Sequence, residues 1–239
     1  MITLAIAEDK EHHNARIVKA IARHKDLNLS INATNGFELL QKLNSAKELP
    51  KILLLDIEMP KIDGLICTSY LCVKYPPIKI IGVSTHSNEA LVAEVITEGA
   101  TSFITKHFVE PDSISYKPTY GNRDILREAI DQTLLDKQFI DVLVYNKKKE
   151  LEKTQPTTYF RQLKYPELSP QLTEFLILNA TNLPFIDIAG IMIKSRASIK
   201  SYYDKLSTLF EVNTRAELIC YCLKHGLVKL PNLYDKFAS

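Results

Sequence analysis

Six residues suited to chemistry follow directly on short apolar or β-branched runs. They are Glu8 and Asp9 after Ile2 to Ala7, Asp56 after Ile52 to Leu55, Ser84 and Thr85 after Ile78 to Val83, and Lys106 after Ser102 to Thr105. In an open parallel α/β sheet, ligands bind beyond the carboxyl ends of the strands, where the winding reverses. These six residues would therefore share one crevice. Three carboxylates gathered there repel one another and raise the pKa of at least one of them unless a cation is present. Magnesium suits such a site, because it takes a few carboxylate oxygens, keeps several waters and leaves a position for phosphate.

That convergence requires strands laid side by side and helices to carry the chain back. Five strand-like runs, the four above and Leu29 to Ala33, alternate with stretches of three-to-four residue apolar spacing over the first 136 residues. One such stretch is Ala15, Val18, Ile21 and Ala22; another is Phe37, Leu40 and Leu43; the last runs from Ile125 to Leu135. Alternation of this kind predicts an α/β fold, a five-stranded, doubly wound parallel sheet covered by helices on both faces. After Leu135 the pattern loosens into Lys147, Lys148, Lys149, Lys153 and Pro156, which reads as a linker. Beyond it the strand pattern stops and four short helical patterns follow, with Ser169-Pro170, Ser195 and Asn213 or Thr214 as helix starts and Gly226 as a helix end. The expected organisation is an α/β domain over 1–137, a linker over 138–165, an all-α helix-turn-helix domain over 166–230 and a tail over 231–239.

The 239 residues carry a net charge of only +2, which excludes a histone-like polycation and a polyanion mimic. By segment the charge is uneven: fifteen basic against eighteen acidic residues in 1–136, seven against three in 137–164, eight against seven in 165–239. No apolar run approaches the ~20 residues of a membrane span, and the N-terminal run lacks a basic lead-in, so a cytoplasmic protein with no membrane partner is expected. Cys67, Cys72, Cys220 and Cys222 match no usual zinc or redox spacing and read as reduced thiols. There is no glycine-rich phosphate loop and no serine nucleophile elbow, so an independent metabolic enzyme is not expected.

Ile6-Ala7-Glu8-Asp9, Leu54-Leu55-Asp56-Ile57-Glu58-Met59-Pro60 with Asp63-Gly64, Val83-Ser84, and Gly99-Ala100 through Phe103-Ile104-Thr105-Lys106 occur in that order, at strand ends. In these features residues 1–136 resemble the receiver domain of two-component response regulators. The resemblance implies that Asp56 accepts a phosphoryl group from a sensor histidine kinase. It implies that Asp9, Asp56 and the backbone carbonyl of Glu58 hold Mg2+, with Glu8 assisting through water. Lys106 and the Ser84 hydroxyl would contact phosphoryl oxygens, and Phe103 would turn inward as Ser84 moves. Such a domain catalyses only its own phosphorylation and dephosphorylation. Two departures stand out. Thr85 replaces a smaller residue and would narrow access to the phosphoryl group, and the 107–122 segment is longer than usual, fit to cover the site, dock a partner or decorate the surface.

Leu168-Ser169-Pro170, Ile188-Ala189, Ser195 with Ser198-Ile199-Lys200-Ser201, Val212, Thr214-Arg215-Ala216-Glu217-Leu218 and His225-Gly226-Leu227-Val228 resemble the LuxR/NarL-type helix-turn-helix. That resemblance implies a third helix, Ser198 to about Phe210, in the major groove of double-stranded DNA. Lys200 and Ser201 would face bases, and Lys194, Arg196 and Lys205 would lie near phosphates. Asp204 falls where a basic contact is frequent and Leu209 replaces a frequent lysine. With so little surplus charge a monomer should bind weakly, and a homodimer is expected. The competing reading is a phospho-dependent protein-interaction adaptor whose helices have lost DNA binding.

Overall fold

The computed structural model describes residues 1–86, 89–110, 116–144, 165, 168–181 and 183–229. Five strands, β1 (Ile2–Ala7), β2 (Leu27–Ala33), β3 (Ile52–Asp56), β4 (Lys79–Ser84) and β5 (Ser102–Thr105), form one sheet in the order β2-β1-β3-β4-β5. Every pairing is parallel. The expected doubly wound α/β fold is therefore present, and the order reverses beside β1, at the point where such sheets bind ligands.

Alternation along the strands sorts the core into two faces. Leu4, Ile6, Leu54, Val83 and Ile104 pack with helices α1 (Glu11–Ala22) and α6 (Ile125–Leu134). Ala5, Ala7, Leu53, Leu55, Ile80 and Phe103 pack with α2 (Gly36–Ser45), α3 (Gly64–Lys74) and α4 (Glu89–Glu98). Being apolar on both faces is what gives these strands their unbroken hydrophobic runs. The helices start where side-chain caps supply an acceptor: Asn35 for Glu38 N, Asp63 for Ile66 N, and Asp124 for Arg127 N. Gly64 opens α3 so close to β3 that a Cβ would stand 2.2 Å from the Asp56 carbonyl oxygen, which only glycine allows.

The 107–122 segment is not plain loop. A 3-10 turn (Lys106–Val109) and a short helix α5 (Tyr116–Tyr120) bury Phe108, Tyr116 and Tyr120 in the α1/α6 core. The described part of the segment thus packs beside α1, where Arg16 pairs with Glu110. The expected linker also starts later than residue 138. Phe139 to Asp141 lie along β5, and a 3-10 turn follows at Val142–Val144. Residues 145–164 and the 231–239 tail lie outside the described residues.

The C-terminal part consists of α7 (Pro170–Asn179), α8 (Phe185–Met192), α9 (Arg196–Leu209) and α10 (Arg215–Lys224). Ser169, Ser195 and Thr214 cap α7, α9 and α10, and Gly226 takes the left-handed conformation (φ +67°) past the end of α10. Ile193, also left-handed at φ 53°, makes the tight turn between α8 and α9. The helices pack on the receiver-like part through one continuous core that includes α3 and α7. Lys74 pairs with the buried Glu174 at 3.1 Å, and Asn44 Nδ2 donates to the Ile191 carbonyl at 2.6 Å. Among the described residues no helix is long and apolar enough to cross a membrane.

Candidate phosphoryl-transfer site

The strand ends bring Glu8, Asp9 and Asp56 together, with one carboxylate oxygen of each within 4.8 Å of the others. Glu8 and Asp56 are 1% and 3% exposed, so their charges are largely taken out of water. Lys106, 7% exposed, reaches over from the end of β5. Its Nζ lies 2.9 Å from Asp56 Oδ2 and 2.7 Å from Glu8 Oε2. Burial raises the Asp56 carboxyl to about 6 against the pull of the Lys106 ammonium, and the Glu8 charge adds to the rise. One ammonium shared by two buried carboxylates leaves net negative charge, and Asp9 Oδ1 is buried without a hydrogen-bond partner. A divalent cation fits that deficit.

Other expected members fall nearby. Ser84 follows Val83, the register partner of Asp56; it is buried, and its Oγ accepts from His86 N at 3.0 Å. Glu58 N approaches Asp56 Oδ1 at 3.4 Å, while the Glu58 side chain faces His86 Nε2 at 3.4 Å. Thr85 is exposed. Phe103 is 0% exposed, so the expected inward turn has no outward starting point here. A Cβ on Gly82 would stand 3.0 Å from its ring, so the ring lies tight against β4.

One neighbour was not anticipated. His13, in the first turns of α1, places Nδ1 3.4 Å from Glu8 Oε1 and 3.3 Å from Lys106 Nζ. Its pKa is lowered, first by burial and then by Lys106, so the ring is neutral at pH 7 and accepts from the ammonium. Its place in the first turns of the helix that follows Glu8 and Asp9 was the available signal, but an isolated histidine on an amphipathic helix carries little weight.

A family model described as the response regulator receiver domain matches residues 4–116. The chemotaxis protein CheY of Listeria monocytogenes is 33% identical over 108 residues, covering 45% of this chain and 88% of that protein. The chain belongs to the response regulator receiver family. Similarity extends past the receiver. The transcriptional regulatory protein DegU of Brevibacillus brevis is 23% identical across 96% of both chains. The RcsB response regulator of Salmonella typhimurium shares the fold over 92% of this chain and 97% of its own, with a TM-score of 0.50 and 19% identity. A further RcsB structure, titled as two dimers bound to two parallel DNAs, aligns with a TM-score of 0.51 at 21% identity over 92% of this chain and 96% of its own. The likeness to these two-domain regulators thus runs through the C-terminal helices as well, which share their fold.

In those helices Lys194, Arg196, Lys200, Ser201 and Lys205 are all exposed. Lys200, Ser201 and Lys205 line a shallow groove along α9 with Ala197, Asp204 and Thr208. Ile199 and Leu206 are buried on the opposite side, as their spacing required. Lys200 is held by Asp204, one turn on, at 2.5 Å. Arg215 turns away from this surface: its guanidinium donates to the carbonyls of Asn179, Thr181 and Leu183 and lies over the Phe185 ring. It fastens α10 to the α7–α8 turn.

Proposed function

We propose that the chain is a cytoplasmic response regulator in which phosphorylation of Asp56 by a sensor histidine kinase alters dimerisation or domain contacts and so controls binding of α9 to double-stranded DNA. The observation that carries this reading is the burial of Glu8, Asp56 and Lys106 around one incompletely neutralised carboxylate cluster. Asp9, Asp56 and the Glu58 carbonyl would hold Mg2+, with Glu8 acting through water. When bound, the ion supplies charge neutralisation for the phosphoryl group.

The chain's own residues supply the rest. An Asp56 carboxylate oxygen forms the new P–O bond as the P–N bond to the kinase imidazole breaks, and the leaving imidazole takes up a proton. Lys106 shifts from Glu8 and Asp56 to a phosphoryl oxygen, and Ser84 Oγ donates to another. Catalysis is limited to this transfer and to hydrolysis of the product. Transcriptional control is supported by the regulators that align along the whole chain, and a homodimer by the low surplus charge of the helical domain.

Size measurements and DNA mobility shifts on wild type and Asp56→Ala, with and without acetyl phosphate and Mg2+, test the reading. The expected result is a phosphodonor-dependent shift in wild type alone; identical behaviour in all four conditions would overturn it. The Lys200–Asp204 pair favours the adaptor as a second reading, since it occupies a cation that DNA would otherwise use. Selection of genomic fragments at low salt separates the two, because a DNA reader enriches a paired site and loses it as salt rises.

A further inference from the structure

β5 is the last strand of the sheet, and an edge strand ordinarily leaves a row of N–H and C=O groups unpaired. Here that edge is covered by the segment on which the chain leaves the receiver. Phe103 N donates to the Phe139 carbonyl at 2.8 Å, Asp141 N donates to the Phe103 carbonyl at 3.0 Å, and Phe139 N donates to Ser102 Oγ at 3.1 Å. The pairing is parallel, with Ile140 opposite Phe103. It takes hold of the residue expected to be the aromatic of the switch.

Next along the segment, Asp141 is 0% exposed, and its carboxylate faces the end of β5. Oδ2 accepts from Thr105 N at 2.9 Å and from Thr105 Oγ1 at 2.6 Å; Oδ1 accepts from Leu143 N at 3.0 Å. Tyr120 on α5 donates its hydroxyl to the same carboxylate at 2.8 Å. Burial raises the Tyr120 phenol above its ordinary value, so it remains a donor. Three segments that sequence reading left unassigned or separate thus meet at one carboxylate: the end of β5, the long 107–122 segment and the start of the linker. Thr105 immediately precedes Lys106.

We propose that Asp141 is a positioning residue for phosphoryl transfer: with Tyr120 it fixes Thr105, and through Thr105 the strand end that aims Lys106 at Asp56. The same grip, with the parallel bridge at Ile140, ties the exit segment to the sheet edge, so a movement of Lys106 onto a phosphoryl oxygen pulls directly on the chain leading to the helical domain. This rests on Asp56 being the phosphoacceptor. The ordinary alternative is a hydrogen-bonded core network that contributes stability and nothing else.

The full chain serves for the test, with Asp141→Asn and Tyr120→Phe as variants. Asparagine has a single acceptor oxygen and cannot satisfy all four donors, and phenylalanine removes one hydroxyl without changing the ring. Phosphorylation by acetyl phosphate with Mg2+ is followed by intact mass, at a temperature where circular dichroism shows each protein folded. Misplacing a catalytic group by a fraction of an ångström is expected to slow phosphorylation about tenfold in Asp141→Asn. Loss of one hydrogen bond should slow it about threefold in Tyr120→Phe. The Mg2+ Kd, from calorimetry, should stay within about twofold of wild type, because Asp9, Asp56 and Glu58, which would hold the ion, lie at the ends of β1 and β3 and not on the clamp. Amide exchange over 139–144 should accelerate on phosphorylation in wild type and be fast already in Asp141→Asn. Wild-type phosphorylation rates in both variants, whatever their melting temperatures, would overturn the proposal. So would exchange over 139–144 that ignores the phosphodonor. If wild type itself takes up no phosphoryl group, the phosphoacceptor reading fails first and the positioning role with it.

Discussion

Lys106 and Lys200 each hold a carboxylate within hydrogen-bond distance, yet they stand in opposite surroundings. The Lys106 side chain is 6% exposed and bridges Asp56 and Glu8, also buried. The Lys200 side chain is 61% exposed and meets Asp204, 55% exposed, one helical turn away. The first grouping removes three charges from water and leaves one negative charge over, a cost that a bound cation would relieve. The second is a solvated pair of the kind that forms on any charged helix and opens freely. Pairing alone therefore says little about function; what separates the two ends of this signalling chain is whether the charges can leave.

Removing the acceptor itself should have the largest effect. Asp56→Ala is expected to lower phosphoryl uptake from acetyl phosphate by at least about a hundredfold, read by intact mass, with the fold retained. If uptake persists at another carboxylate, the buried cluster is not the acceptor site, and the contrast with α9 loses its meaning.

The two lysines can be compared directly by removing each. Lys106→Ala leaves Glu8 and Asp56 facing one another without a counter-charge, which should cost about 3–5 kcal/mol in urea unfolding without divalent metal. Mg2+ should return part of that, because it binds only the folded state. Lys200→Ala should change stability by less than about 0.5 kcal/mol. Equal effects at both positions would refute the assignment of function by burial.

Proton competition sharpens the same contrast on a smaller scale. Burial raises the Asp56 carboxyl to about 6, so below that pH the site is increasingly neutral and an entering cation must displace a proton. The sign follows: affinity for Mg2+ is full above about pH 6 and is lost as pH falls through it. By pH 5 the Kd should be about tenfold weaker than at pH 8. Calorimetric titration at several pH values measures this, and a pH-independent Kd would mean that Asp56 is not desolvated as described.

How much of this was legible in the sequence follows from the same physics. Glu8, Asp9, Asp56 and Lys106 could be placed because a buried parallel strand is an unbroken apolar run, and the residue that ends the run must lie at the sheet edge where ligands bind. The α9 face was legible for the same reason, through Ile199 and Leu206. Contacts distant in sequence were not legible. The partners of Asp141 on β5 lie 36 residues back in the chain, and its apolar setting, Phe139-Ile140 before it and Val142-Leu143-Val144 after it, signals burial without showing what receives the carboxylate. The α5 helix, with Pro118 inside it, resembled a loop because its stability comes from burying Tyr116 and Tyr120 and not from helix propensity. Arg215 was visible only as one member of the Thr214-to-Leu218 pattern; the fold alone brings three carbonyls to it.

The smallest effect belongs to the exposed end, and it tests whether α9 reads DNA at all. Asp204→Asn releases Lys200 and removes a like-charge repulsion between α9 and phosphate. If Lys200 then reaches the duplex, affinity should rise about three- to fivefold at moderate salt. The slope of log K against log salt should steepen by about 0.9 for each phosphate newly neutralised in a half-site. Charge reversal, Asp204→Lys, should extend both trends. Because the pair is solvated, neither substitution should alter phosphorylation of Asp56, so any gain in DNA binding belongs to the helix surface alone. Unchanged affinity and slope in both variants would mean that this face of α9 does not meet a duplex, and the pair would then mark a protein-binding surface, as the adaptor reading requires.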